Sequence, residues 1–142
     1  MKKIRYKILR GIETVKPQLN SDWIDLCAAQ EVKLCAGDYK AIPLGVAMEL
    51  PRGYEAIVAP RSSTFKHYGV LAANSIGVID ESYKGETDEW HFLVYATRNT
   101  VIHAGERICQ FRIIKHQPKF RLQWVARLNN RSRGGIGSTG RT

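Results

Sequence analysis

The chain has 142 residues, with 22 Lys and Arg against 13 Asp and Glu, a formal charge of +9. With 44% hydrophobic and 25% charged residues it has the balance of one globular domain, and no apolar run is long enough to span a bilayer as a helix. Cys27, Cys35 and Cys109 lack C-x-x-C spacing and His67, His91, His103 and His116 are scattered, which argues against a disulfide framework or a structural zinc site.

Ile4 to Leu9 opens the chain as a strand. The basic start is followed by no apolar signal-peptide core, so a cytoplasmic location is expected. Tyr39 to Leu50 carries Pro43 and Gly45, and reads as two short extended pieces with a bend between them. Pro51-Arg52-Gly53 marks a turn, and Tyr54 to Ala59 is the next strand. Ser62 to Tyr68 is the best helix candidate, one or two turns with serines placed to cap its start. Trp90 to Ala96 and Arg107 to Ile114, rich in aromatic and β-branched residues, are strands joined by a hairpin-like connection carrying Asn99, His103 and Gly105. The expected fold is all-β, a jelly-roll-like barrel or sandwich, over residues 1–130. A low-complexity, glycine-rich arm follows over 131–142.

The positive charge calls for an anionic partner, a nucleic acid or a nucleoside triphosphate. No zinc-finger, RNA-recognition or basic-zipper signature accompanies it, so nucleic acid is not favoured. Four segments have chemistry suited to a triphosphate. The arm combines glycines that free backbone N–H groups with Arg131, Arg133, Ser138 and Thr139. It approximates a Walker A pattern, but Arg141 stands where that pattern needs lysine. Pro60-Arg61-Ser62-Ser63 follows a strand and offers a guanidinium and hydroxyls to phosphate oxygens, or simply a helix start. Asn74 through Gly77-Val78-Ile79-Asp80 to Tyr83 brings a carboxylate to a strand end, where it can act as a general base or merely begin a turn. Gln110 alternates with apolar neighbours in Arg107-Ile108-Cys109-Gln110.

Taken in order, these segments resemble the motif set of the trimeric dUTPase family. Ser21 to Ala29 resembles the first motif, Pro60 to Ser63 the second, and Gly77 to Glu86 the third, with Asn74 at its offset. Arg107 to Gln110 resembles the fourth and Gly134 to Gly140 the fifth. The resemblance implies a β jelly-roll subunit and a homotrimer with active sites between subunits. It implies dUTP as substrate, with Mg2+ bound mainly through the triphosphate. Asp80 matches the aspartate that activates water for attack at the α-phosphorus. Asn74, Gly77 and Val78 match the region that reads the base, and Tyr83 the ring against the deoxyribose. Arg61, Ser62, Ser63, Gln110, Gly135, Ser138 and Thr139 match phosphate-contacting positions. Asp25 matches a supporting acid that reaches the metal through water.

Two features depart from the family pattern. Ile136 occupies the place of the aromatic residue that covers the base, leaving Trp90 and His91 as candidate lids. Arg131 and Arg133 both fit the arginine that contacts the γ-phosphate. Two alternatives remain. A dCTP deaminase shares the fold but needs a glutamate proton shuttle where Trp90 stands, and strand alternation would turn Glu89 to the other face. A regulatory binding protein on the same scaffold is suggested by the charge and the altered fifth motif.

Overall fold

The computed structural model describes residues 1–141. Four antiparallel sheets surround one core. The largest has the order β2 (Ile24–Cys27), β11 (Arg107–Lys115), β6 (Tyr54–Pro60), β8 (Gly77–Ile79). A second pairs β4 (Tyr39–Pro43) and β7 (Val70–Ala72) on either side of β9 (His91–Ala96). Two-stranded ribbons complete the body: β1 (Arg5–Ile8) with β5 (Val46–Glu49), and β3 (Val32–Leu34) with β10 (Thr100–Ile102). The expected all-β fold is what forms.

Strand alternation builds the core. In β9, Phe92, Val94 and Ala96 point inward while His91, Leu93 and Tyr95 face the other way. In β11 both Ile108 and Cys109 are buried, because the register with β2 shifts between Arg107 and Cys109. That bulge flips the alternation and sends Gln110 to the face opposite Phe111. Leu44 and Gly45 separate β4 from β5 as the expected bend, with Gly45 at φ +72.

Two local expectations need correction. The connection from β9 to β11 is no hairpin: its Thr100–Ile102 segment is a strand on β3, and β9 and β11 lie in different sheets. The short helix α1 spans Thr64–Tyr68, but Ser63 at its N-cap makes no side-chain capping bond. Thr64, buried at 1% exposure, organises this corner instead. Its Oγ1 accepts Arg61 N–H at 2.8 Å and donates to Ile108 O at 2.9 Å. The last strand ends at Lys115, and residues 117–141 are exposed in the single chain. Thr142, the end of the expected arm, lies outside the described residues.

Candidate active site

β8 ends at Ile79 and hands Asp80 to a turn that folds back on it. Ser82 N–H and Ser82 Oγ donate to Asp80 Oδ1 at 2.8 and 2.6 Å. The Ser82 hydroxyl bond, then its backbone bond, hold the Asp80 carboxyl below its ordinary range, so it is ionised near neutrality. Beside it opens a cavity of about 430 Å³, with walls that include Asn74, Gly77, Val78, Asp80, Tyr83 and His91. The lining is otherwise largely apolar, suited to a flat ring with a few polar edges. Gly77 packs closely on β6 here: a Cβ would lie 3.2 Å from Val58 Cβ, a tight contact. Tyr83 Oη donates to Glu89 O at 2.9 Å, standing its ring along one side. His91 Nδ1 meets the same carbonyl at 3.0 Å.

Trp90 lies in the core and not on the cavity wall. It is 0% exposed and packs edge-on against Phe111, ring centroids 5.2 Å apart, inside the core. Of the two candidate rings only His91 lines the cavity. Glu89 also borders the cavity, and its carbonyl is the group that meets Tyr83 and His91. Its carboxylate is engaged by Arg10 and by Gly45 N–H.

A second cluster forms where β2, β11 and β6 meet. Asp25 and Gln110 are cross-strand partners, and Gln110 faces Ala59. Arg61 Nε donates to Asp25 Oδ1 at 3.1 Å, and Arg107 Nη1 lies 3.6 Å from Oδ2. Gln110 Nε2 donates to Pro60 O at 3.0 Å. Two guanidinium groups and an amide thus gather around Asp25 and the end of β6, with Ser62 and Ser63 next in the chain, a donor chemistry matched to phosphate. Near it Tyr68 donates to Glu106, and burial, then that bond, push the Tyr68 hydroxyl up to about 12. Arg107 and Thr64 are not among the residues to which the motifs assign a role. Arg107 lay inside a matched motif, whereas the role of Thr64 depends on a contact to β11 that no local pattern announces.

The two clusters do not meet within one chain. Ile79 pairs with Ala56, so Asp80 sits toward the start of β6, while Arg61 follows its end. Six steps along an extended strand separate those levels, roughly 20 Å. Arg131, Arg133, Gly135, Ser138 and Thr139 lie in the exposed arm, and none lines the cavity. Turns there join Gly135 O to Ser138 N–H and Gly137 O to Gly140 N–H, both at 3.1 Å.

An all-β body with a base-sized cavity beside a held carboxylate, and with a separate phosphate-suited cluster, defines a nucleotide-binding jelly-roll protein. The dUTPase family model matches residues 17–140. The SPbeta prophage-derived deoxyuridine 5'-triphosphate nucleotidohydrolase YosS of Bacillus subtilis (strain 168) is 55% identical over 138 residues, covering 96% of this chain and 97% of that protein. A deoxyuridine 5'-triphosphate nucleotidohydrolase of Rickettsia akari (strain Hartford) is 37% identical, covering 85% of this chain and 83% of its own. Among solved structures, a Staphylococcus bacteriophage 80alpha dUTPase mutant with dUpNHpp superposes with a TM-score of 0.81 at 19% identity, covering 99% of both chains. The dUTPase from Streptococcus mutans superposes at 0.72 with 21% identity, covering 82% of this chain and 98% of that one. The chain belongs to the dUTPase family. No helix among the described residues is long and apolar enough to cross a membrane.

Proposed function

We propose that the protein hydrolyses dUTP to dUMP and pyrophosphate, with Asp80 as the base that activates water at the α-phosphorus. The observation that carries this reading is the Asp80 carboxylate, held through Oδ1 by Ser82, on the wall of a cavity that also carries Asn74, Tyr83 and His91. Both bonds fall on Oδ1, so Oδ2 is the oxygen that takes the water proton. The bond from water oxygen to phosphorus forms as the α–β bridging P–O bond breaks, and the electron pair leaves with pyrophosphate. Positioning and charge neutralisation dominate such a step.

Asn74 and the Gly77–Val78 backbone take the base edge, Tyr83 closes the space of a 2′-hydroxyl, and the His91 ring covers the base in place of Ile136. Arg61, Ser62, Ser63 and Gln110 take phosphate oxygens. The roughly 20 Å between their level and that of Asp80 supports a site completed between subunits of a homotrimer. The arm closes over the triphosphate with Gly135, Ser138, Thr139 and either Arg131 or Arg133. The donor set fits a Mg2+ carried by the triphosphate: Asp25 would hold it through water, while Arg61 and Arg107 fix that carboxylate. When bound, the ion neutralises phosphate charge.

The deaminase alternative is disfavoured by Glu89, because its carboxylate is committed to Arg10 and Gly45. The test is incubation with each deoxynucleoside triphosphate and Mg2+, following pyrophosphate and ammonia. Pyrophosphate from dUTP alone supports the reading; ammonia from dCTP overturns it.

A further inference from the structure

Past the end of β1, Arg10 reaches the segment that carries two rings of the base cavity. Its Nη2 and Nε donate to Glu89 Oε1 and Oε2 at 2.9 and 3.2 Å, a two-point fork. Glu89 Oε2 also accepts Gly45 N–H at 3.0 Å. Only glycine allows this approach, because a Cβ at position 45 would lie 2.3 Å from Arg10 O. The Glu89 side chain is 13% exposed, so a carboxylate held by three hydrogen bonds from two residues is also largely shielded from water. The carbonyl of that same residue accepts Tyr83 Oη and meets His91 Nδ1. Two cavity rings therefore hang on one peptide group, and that peptide is tethered through its own side chain to β1 and the β4–β5 bend.

We propose that the Arg10–Glu89 pair is a positioning device that sets sugar discrimination, by holding the residue-89 peptide where Tyr83 stands against the sugar. The inference rests on the dUTP reading of the cavity. Arg10 lies outside every matched motif and does not itself line the cavity. Rejection of a hydroxyl by a ring is steric, so it depends on where the ring is held, and misplacement of about 1 Å is enough to matter. Lys7 with Glu86, at 2.7 Å, is a second strap from β1 to this segment. Both its side chains are mostly exposed and neither reaches the residue-89 peptide, so it serves as the control.

The experiment measures kcat and KM separately for dUTP and UTP in the full-length protein. In Arg10→Ala, kcat for dUTP stays within about twofold while the dUTP-to-UTP ratio of kcat/KM falls roughly tenfold. Arg10→Lys recovers only part of the ratio, because an ammonium lacks the fork. Glu89→Gln moves the ratio in the same direction, and Lys7→Ala leaves it unchanged. A wild-type ratio in both Arg10→Ala and Glu89→Gln overturns the proposal. So does a fall in kcat at constant ratio, the mark of general destabilisation. Failure of the wild-type protein to hydrolyse dUTP overturns the dUTP reading and this inference together, and the wild-type control separates that outcome from failure of the pair alone.

Discussion

Asp80 is solvent-exposed in the single chain, and its chemistry comes from two Ser82 bonds that favour the charged carboxylate. Asp80→Asn is expected to lower turnover by about 10²- to 10⁴-fold while a non-hydrolysable dUTP analogue still binds, as titration calorimetry would register. Strong residual turnover would show the base to be another group. Ser82→Ala removes the hydroxyl bond and keeps the backbone one, so the Asp80 carboxyl moves back toward its ordinary range. A base is lost on protonation, so the acidic limb of the kcat/KM–pH profile moves to higher pH in that variant. An unmoved limb would mean that Ser82 does not tune the reacting group.

At the scale of elements, β9 decides what each residue around the third motif can do. Trp90 enters the core just before the strand, and the next outward residue, His91, meets the cavity. Trp90→Ala is expected to destabilise the fold by about 3–5 kcal/mol in urea unfolding, the cost of a large aromatic cavity. A small loss of stability with a large rise in KM for dUTP would restore Trp90 as a lid. His91→Ala has the opposite expectation: near-native stability with roughly tenfold weaker dUTP binding from lost ring contact. The bulge at the start of β11 has similar weight, because without it Gln110 would point into the core and Cys109 out.

For the whole molecule, the separation of Asp80 from Arg61 predicts complementation. Asp80→Asn and Arg61→Ala proteins, each inactive alone, are mixed, unfolded and refolded together. With random assembly about a quarter of sites pair an intact Asp80 with an intact Arg61 from a neighbour. Recovery of activity in pyrophosphate release is the expected outcome. A mixture as dead as its parents would place both groups in one chain's site. Deleting residues 131–142 is expected to remove most turnover and leave the oligomer intact by analytical ultracentrifugation. Full activity in the truncated protein would exclude the arm from the site.

Much of this molecule is legible in the linear order of its residues. Short β-branched and aromatic runs punctuated by glycine and proline predict an all-β body, and five spaced motifs point to the family. Both signals are local, carried by strand period and backbone punctuation, so they survive without knowledge of what packs on what. Pairing is non-local, which is why Thr100–Ile102 looked like a connection until β3 lay beside it. The same limit applied to the rings at positions 90 and 91. Both are plausible lids on paper, and only burial against Phe111 separates them. Arg10 and Glu89 stand 79 positions apart, with no pattern to link them, until β1 and the β4–β5 bend bring them together. The residue types and their order determined what chemistry was available; the folding of distant segments onto one another decided which side chains are placed to use it.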